Sequence, residues 1–172
     1  TEDPGLLAAG GATRSGWTQG RLKVGGVAER VAQERAESIG ESVGYQIRLE
    51  RKMGPRTRLL FMTTGVLLRR LHGDPMLDGV THVLVDEVHE RGVESDFLLL
   101  VLRNLCRRNR ELRVILMSAT MDKELFGAYF GGAPSLVVPG RTFPVESVYL
   151  EDALRQTGHV LDPWADWAIG GG

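Results

Sequence analysis

The chain has 172 residues, with 21 Lys and Arg against 22 Asp and Glu and a formal charge of −1. That length fits one domain with ragged ends, and 42% hydrophobic with 25% charged residues excludes an intrinsically disordered chain. The single cysteine, Cys106, excludes an internal disulfide framework and a cysteine-rich zinc centre, whereas near-neutrality excludes only a global charge field, not a local one.

Residues 1–26 carry seven of the 22 glycines and show neither helical nor alternating periodicity, so they are expected to be disordered. From residue 27 to 39, Val27, Ala28, Val31, Ala32 and Ile39 fall near one helical face. Residues 58–62 read as a short strand. Thr63-Thr64-Gly65 then leads into a helix over 66–71, with either threonine suited to its N-cap. Residues 80–85 predict a buried strand ending in Asp86-Glu87. A helix over 95–108 with Ser95 as its cap, a strand over 112–117, a helix over 122–130 capped by Asp122 and a strand over 135–138 follow. Beyond about residue 151 the pattern lapses, and 151–172 are expected to form a flexible tail. The longest apolar run, 97–102, is too short to span a bilayer, and no secretory leader opens the sequence. An intracellular protein, nuclear or cytoplasmic, with no membrane or disulfide partner is expected.

Strands and helices in alternation argue an α/β fold, a parallel sheet with helices on both faces. Ligands on such sheets gather at the carboxyl ends of the strands, where three polar clusters stand. In HVLVDEVHER (82–91), four strand positions deliver two adjacent carboxylates and a histidine. In nucleotide hydrolysis one carboxylate there can hold Mg²⁺, directly or through water, and a second can position the attacking water. His89 is near enough to touch a γ-phosphate or a neighbouring motif. A zinc-protease reading fails, because H-E-x-x-H needs histidine where Val93 stands. Ser118-Ala119-Thr120 puts two hydroxyls at the next strand end. Thr63-Thr64-Gly65 reads first as a helix cap and second as a phosphate site suited to a nucleic-acid backbone. His72, His82 and His159 lack any such context. An arginine-rich stretch, Arg103 to Arg113, reads as a solvated helix end before it reads as an RNA contact.

Together VAERVAQE (27–34), SVGYQIRLE (42–50), FMTTGVLLRRL (61–71), DGVTHVLVDEVHERGVESDFLLLVLR (78–103), RVILMSATMD (113–122) and PGRTFPVESVY (139–149) resemble the first RecA-like domain of a DEAH/RHA-type (DExH-box) RNA helicase. The resemblance covers residues 27–150, in family order and spacing. It implies a three-layer P-loop NTPase fold using ATP and Mg²⁺, with RNA as partner and, in many relatives, a stimulating protein cofactor. DEVH is then the Walker B motif: Asp86 and Glu87 are the Mg²⁺·ATP and water-activating groups, and His89 links the nucleotide to a second domain. Ser118, Ala119 and Thr120 couple hydrolysis to strand separation, and Thr63, Thr64 and Gly65 contact the RNA backbone.

The family's G-x-x-x-x-G-K-[ST] phosphate loop is not in the sequence. The three lysines, Lys23, Lys52 and Lys123, precede Val24, Met53 and Glu124. The nearest imitation, Gly10 to Gly16, has glycines but no lysine. The expectation is therefore a partial ATP-binding domain that lacks its first strand, its phosphate loop and the second RecA-like domain, and is active only when these are supplied. The alternative is an ATPase-inactive module that binds RNA or protein.

Overall fold

The computed structural model describes residues 5–10, 24–120, 122–140 and 143–160. The chain divides into two compact units, Thr1–Ser135 and Leu136–Gly172. In the first, a sheet of six strands is built from β1 (Gly5–Gly10), β2 (Val43–Gln46), β3 (Arg51–Lys52), β4 (Leu59–Thr63), β5 (Val80–Asp86) and β6 (Arg113–Leu116), in the order β3-β2-β4-β1-β5-β6. Every pairing is parallel except that of β3 with β2. The helices are α1 (Gly26–Glu34), α2 (Thr64–Gly73), α3 (Val93–Arg108) and α4 (Lys123–Tyr129).

Alternation along the strands separates two cores. Leu60 and Met62 of β4, with Val83 and Val85 of β5, face Leu67 and Leu71 of α2 and Leu98, Leu102 and Leu105 of α3. The spacing of those helical residues by three and four places them on one stripe. The opposite face of β2 receives α1, whose Ala28 and Ala32 seat against Val43 and Tyr45. Burying each leucine contributes about 1.5–3 kcal/mol, so α3, with four buried leucines, is the main anchor of its layer. Asn109 ties its far end down by donating Nδ2–H to the Met76 carbonyl at 2.9 Å.

One expectation is corrected. Residues 5–10 are not disordered: β1 lies in the sheet centre, paired to both β4 and β5, with Leu7 and Ala9 buried. A strand therefore precedes α1, and the expectation that the fold lacks its first strand falls with that of disorder. Its four apolar residues, bracketed by Gly5 and Gly10, are too few to show a period; the two neighbouring strands order them by satisfying their backbone on both sides. The imitation phosphate loop, from Gly11 onward, lies outside the described residues, as does the chain beyond residue 160.

Smaller differences follow the same logic. Thr63 stands at the N-cap of α2 but makes no side-chain cap. Helix α3 starts two residues before Ser95, which is buried in its first turn. Asp122 does cap α4, accepting the Leu125 N–H at 2.9 Å. In the second unit residues 136–138 are exposed and form no strand, and a helix, α5 (Leu150–Thr157), occupies part of the segment expected as tail. No described helix is long and apolar enough to cross a membrane.

Candidate functional site

Register brings the sequence-predicted clusters to one end of the sheet. Gly10 pairs with Thr63 on one side and with Asp86 on the other, so Thr63 and Asp86 stand two strand spacings, about 10 Å, apart. On the far side of β5, the Met117 N–H donates to the Val85 carbonyl at 2.8 Å, and the Val88 N–H returns to the Met117 carbonyl at 3.2 Å. These two bonds hold the chain after β6 against the chain after β5, so Ser118 lies beside His89.

The turn after β5 is tight. Glu87 has φ 55° and Arg91 φ 49°, left-handed conformations that cost a side-chain-bearing residue about 1–3 kcal/mol each. The Glu87 N–H donates to Asp86 Oδ1 at 2.9 Å. Arg91 closes the turn with a forked pair to Asp96 at 3.0 Å, in which the carboxylate raises the guanidinium pKa above its usual value. Between these anchors His89 Nδ1 lies 3.4 Å from Glu87 Oε2 and 3.2 Å from Ser118 Oγ. With its proton on Nδ1 the imidazole donates to Glu87 or to Ser118. With the proton on Nε2 it accepts the Ser118 hydroxyl, whose oxygen also takes the Thr120 N–H at 3.2 Å. One ring nitrogen thus links the strand end of β5 to that of β6.

Asp86 is exposed and Glu87 half-buried, hard oxygen donors of the type that suits Mg²⁺. Among the described residues no group of three His, Cys, Asp or Glu side chains is placed to cage a metal. A Mg²⁺ here would take most of its ligands from water and phosphate, which is its usual habit. Ala119 and Thr120 are exposed beyond Ser118. Gly65, in the first turn of α2, faces the carboxylate of Glu94: a Cβ at Gly65 would sit 3.3 Å from Glu94 Oε2. Glu94 and the Arg91–Asp96 clamp were not singled out in the sequence. Residues 65 and 94 are far apart along the chain and carry no shared motif, so only the approach of α3 to α2 reveals them.

The arginine-rich stretch is elsewhere. Helix α3 is 16 residues, about 24 Å, and carries Arg107 and Arg108 to the amino ends of the strands. Arg103 stacks on the Tyr129 ring at 4.3 Å instead of facing solvent. A cavity of about 550 Å³, lined by Leu6, Arg35, Ser42, Arg58, Leu59 and His82 among others, also lies at that opposite end. His72 and His159 are exposed, and His82 Nδ1 lies 2.8 Å from Thr81 Oγ1, away from the candidate site.

No family profile matches the chain. Individual relatives do. It is 59% identical over 141 residues to the DExH-box ATP-dependent RNA helicase DExH3 of Arabidopsis thaliana, covering 82% of this chain and 12% of that protein. It is 51% identical over 139 residues to the ATP-dependent RNA helicase DHX30 of Gallus gallus, covering 80% of this chain and 11% of that one. Among solved structures, the DEAH/RHA helicase HrpB of Escherichia coli superposes with a TM-score of 0.72 at 36% identity, over 84% of this chain and 18% of that chain. With such identity across most of its length, on a matching sheet, the chain belongs to the DEAH/RHA-type (DExH-box) helicases, of which it spans a short RecA-like segment.

Proposed function

We propose that this segment is the Walker B and coupling part of a RecA-like ATPase domain that works on RNA in a longer protein. ATP and Mg²⁺ are its cofactors, RNA its macromolecular partner, and a stimulating protein a further partner. Asp86 would hold Mg²⁺, directly or through water, Glu87 would orient and deprotonate the attacking water, and His89 would pass the state of that site to Ser118, Ala119 and Thr120. Bound Mg²⁺ would neutralise charge on the β- and γ-phosphates. Thr63 and Gly65 hold the RNA backbone, and Thr64, whose side chain is buried, contributes only through its main chain. The observation that carries the reading is the convergence of Glu87, His89 and Ser118 within 3.4 Å, at adjacent strand ends, in line with Thr63 and Asp86.

A second reading, RNA or protein binding without turnover, is favoured by one observation: no lysine in the sequence stands in a phosphate-loop motif. Backbone amides and that lysine normally cradle the β- and γ-phosphates, so we propose that the chain alone has no turnover. Phosphate release from Mg·ATP by the purified chain, with and without RNA and beside Glu87→Gln, decides between these. RNA-stimulated release that vanishes in Glu87→Gln would support the carboxylate roles and refute the incompleteness. Release equally absent from both proteins, with RNA binding retained, favours the second reading for the chain alone.

A further inference from the structure

Glu94, in the first turn of α3, sets its carboxylate against Gly65 of the proposed RNA contact. Its two carboxylate oxygens lie 3.3 and 3.6 Å from the position a Cβ would take at Gly65. Among the described residues it makes no hydrogen bond and no ion pair, whereas the neighbouring Asp96 is neutralised by Arg91. It is exposed, so its charge is presented to anything that approaches Gly65. Among the described residues of this sheet end, Asp86, Glu87 and Glu90 are acidic too, and Arg91 is already paired with Asp96. A phosphate arriving at the first turn of α2 therefore meets a like charge a few ångströms away.

We propose that Glu94 is an electrostatic brake on RNA seating, a specificity-determining residue that weakens phosphate binding at Thr63–Gly65. The inference rests on the proposed RNA role of those three residues. Glu94 follows the Arg91 turn by three residues, and Arg91 is paired to Asp96, so the brake stands close in sequence to the Asp86–His89 cluster. Short or single contacts are weakened most visibly by it, and an RNA backbone that gains contacts elsewhere on the protein offsets it. Two unit charges about 6 Å apart in water change an equilibrium about threefold, and salt screens the effect.

The test is binding of a fluorescein-labelled single-stranded oligouridine to the full chain, read by anisotropy at low and high salt. Glu94→Gln is expected to bind about threefold more tightly at low salt and within error of the wild type at high salt. Glu111→Gln changes net charge equally but lies beyond α3 at the other end of the sheet, and is expected to change binding little. Equal tightening in both variants, or none in Glu94→Gln, overturns the brake. Thr63→Ala separates the two ideas. If it weakens binding while Glu94→Gln is neutral, the RNA reading stands and the brake falls. If Thr63→Ala has no effect, the RNA reading itself fails and the brake falls with it.

Discussion

The two ends of the central sheet differ in their balance of charge. Among the described residues, Asp86, Glu87, Glu90, Glu94 and Asp96 crowd the carboxyl ends with Arg91 as a close cation, whereas Arg58, Arg107, Arg108, Arg110 and Arg113 stand at the amino ends, interspersed there with Asp74, Asp78 and Glu111. A formal charge of −1 conceals this division. The division has a local cause. Helix α3 starts at the carboxyl end with Glu94 and Asp96 in its first turn and finishes with Arg107 and Arg108 in its last, the arrangement that suits its dipole. Helix α2 likewise ends in Arg70 and His72. Charges that complement the dipoles of α2 and α3 thus put a cluster of carboxylates at one end of the sheet and most of the arginines of α3 at the other.

That contrast can be broken or sharpened by substitution. The largest effect is expected for Glu87→Gln: in any assembly of this segment that hydrolyses Mg·ATP, phosphate release should fall about 10²–10⁴-fold, because a positioned base is removed and the fold is kept. An effect of a few-fold would assign the base elsewhere. Next is the rod that separates the two ends. Leu102 is fully buried in the middle of α3, and Leu102→Ala should cost roughly 2–5 kcal/mol of unfolding free energy in a urea titration. A loss below about 1 kcal/mol would mean that α3 is not the anchor of its layer.

Smaller effects test the ends separately. The double variant Arg107→Ala, Arg108→Ala should alter oligouridine affinity less than twofold if the RNA surface is the carboxyl end. A large loss would move that surface to the arginines. The smallest change concerns Cys106, whose partial burial raises its thiol pKa. A raised pKa leaves less thiolate at a given pH, so alkylation should be slower than for a free thiol at pH 8, and its rise with pH should be displaced upward.

Strand β5, the leucine stripe of α3 and the Asp122 cap of α4 were legible in the sequence because each carries its own period or cap residue. Strand β1 was not, since its order comes from neighbours drawn from distant parts of the chain. The converse holds for residues 135–138, where an apolar run suggested a strand and the structure leaves Leu136 and Val138 exposed with no strand partner. At the site the residue types were legible and their geometry was not. The left-handed turn at Glu87, the sharing of His89 between Glu87 and Ser118, and the approach of Glu94 to Gly65 all depend on contacts between separate elements.

The most direct measurement is paramagnetic broadening of backbone amides by Mn²⁺·ATP, with Mn²⁺ standing in for Mg²⁺. Loss of signal at Asp86, Glu87 and Ser118, with Arg107 to Arg113 unaffected, is the result expected of a metal–nucleotide end opposite a basic end. Broadening at the arginines or around the amino-end cavity, with Asp86 and Glu87 untouched, would contradict it.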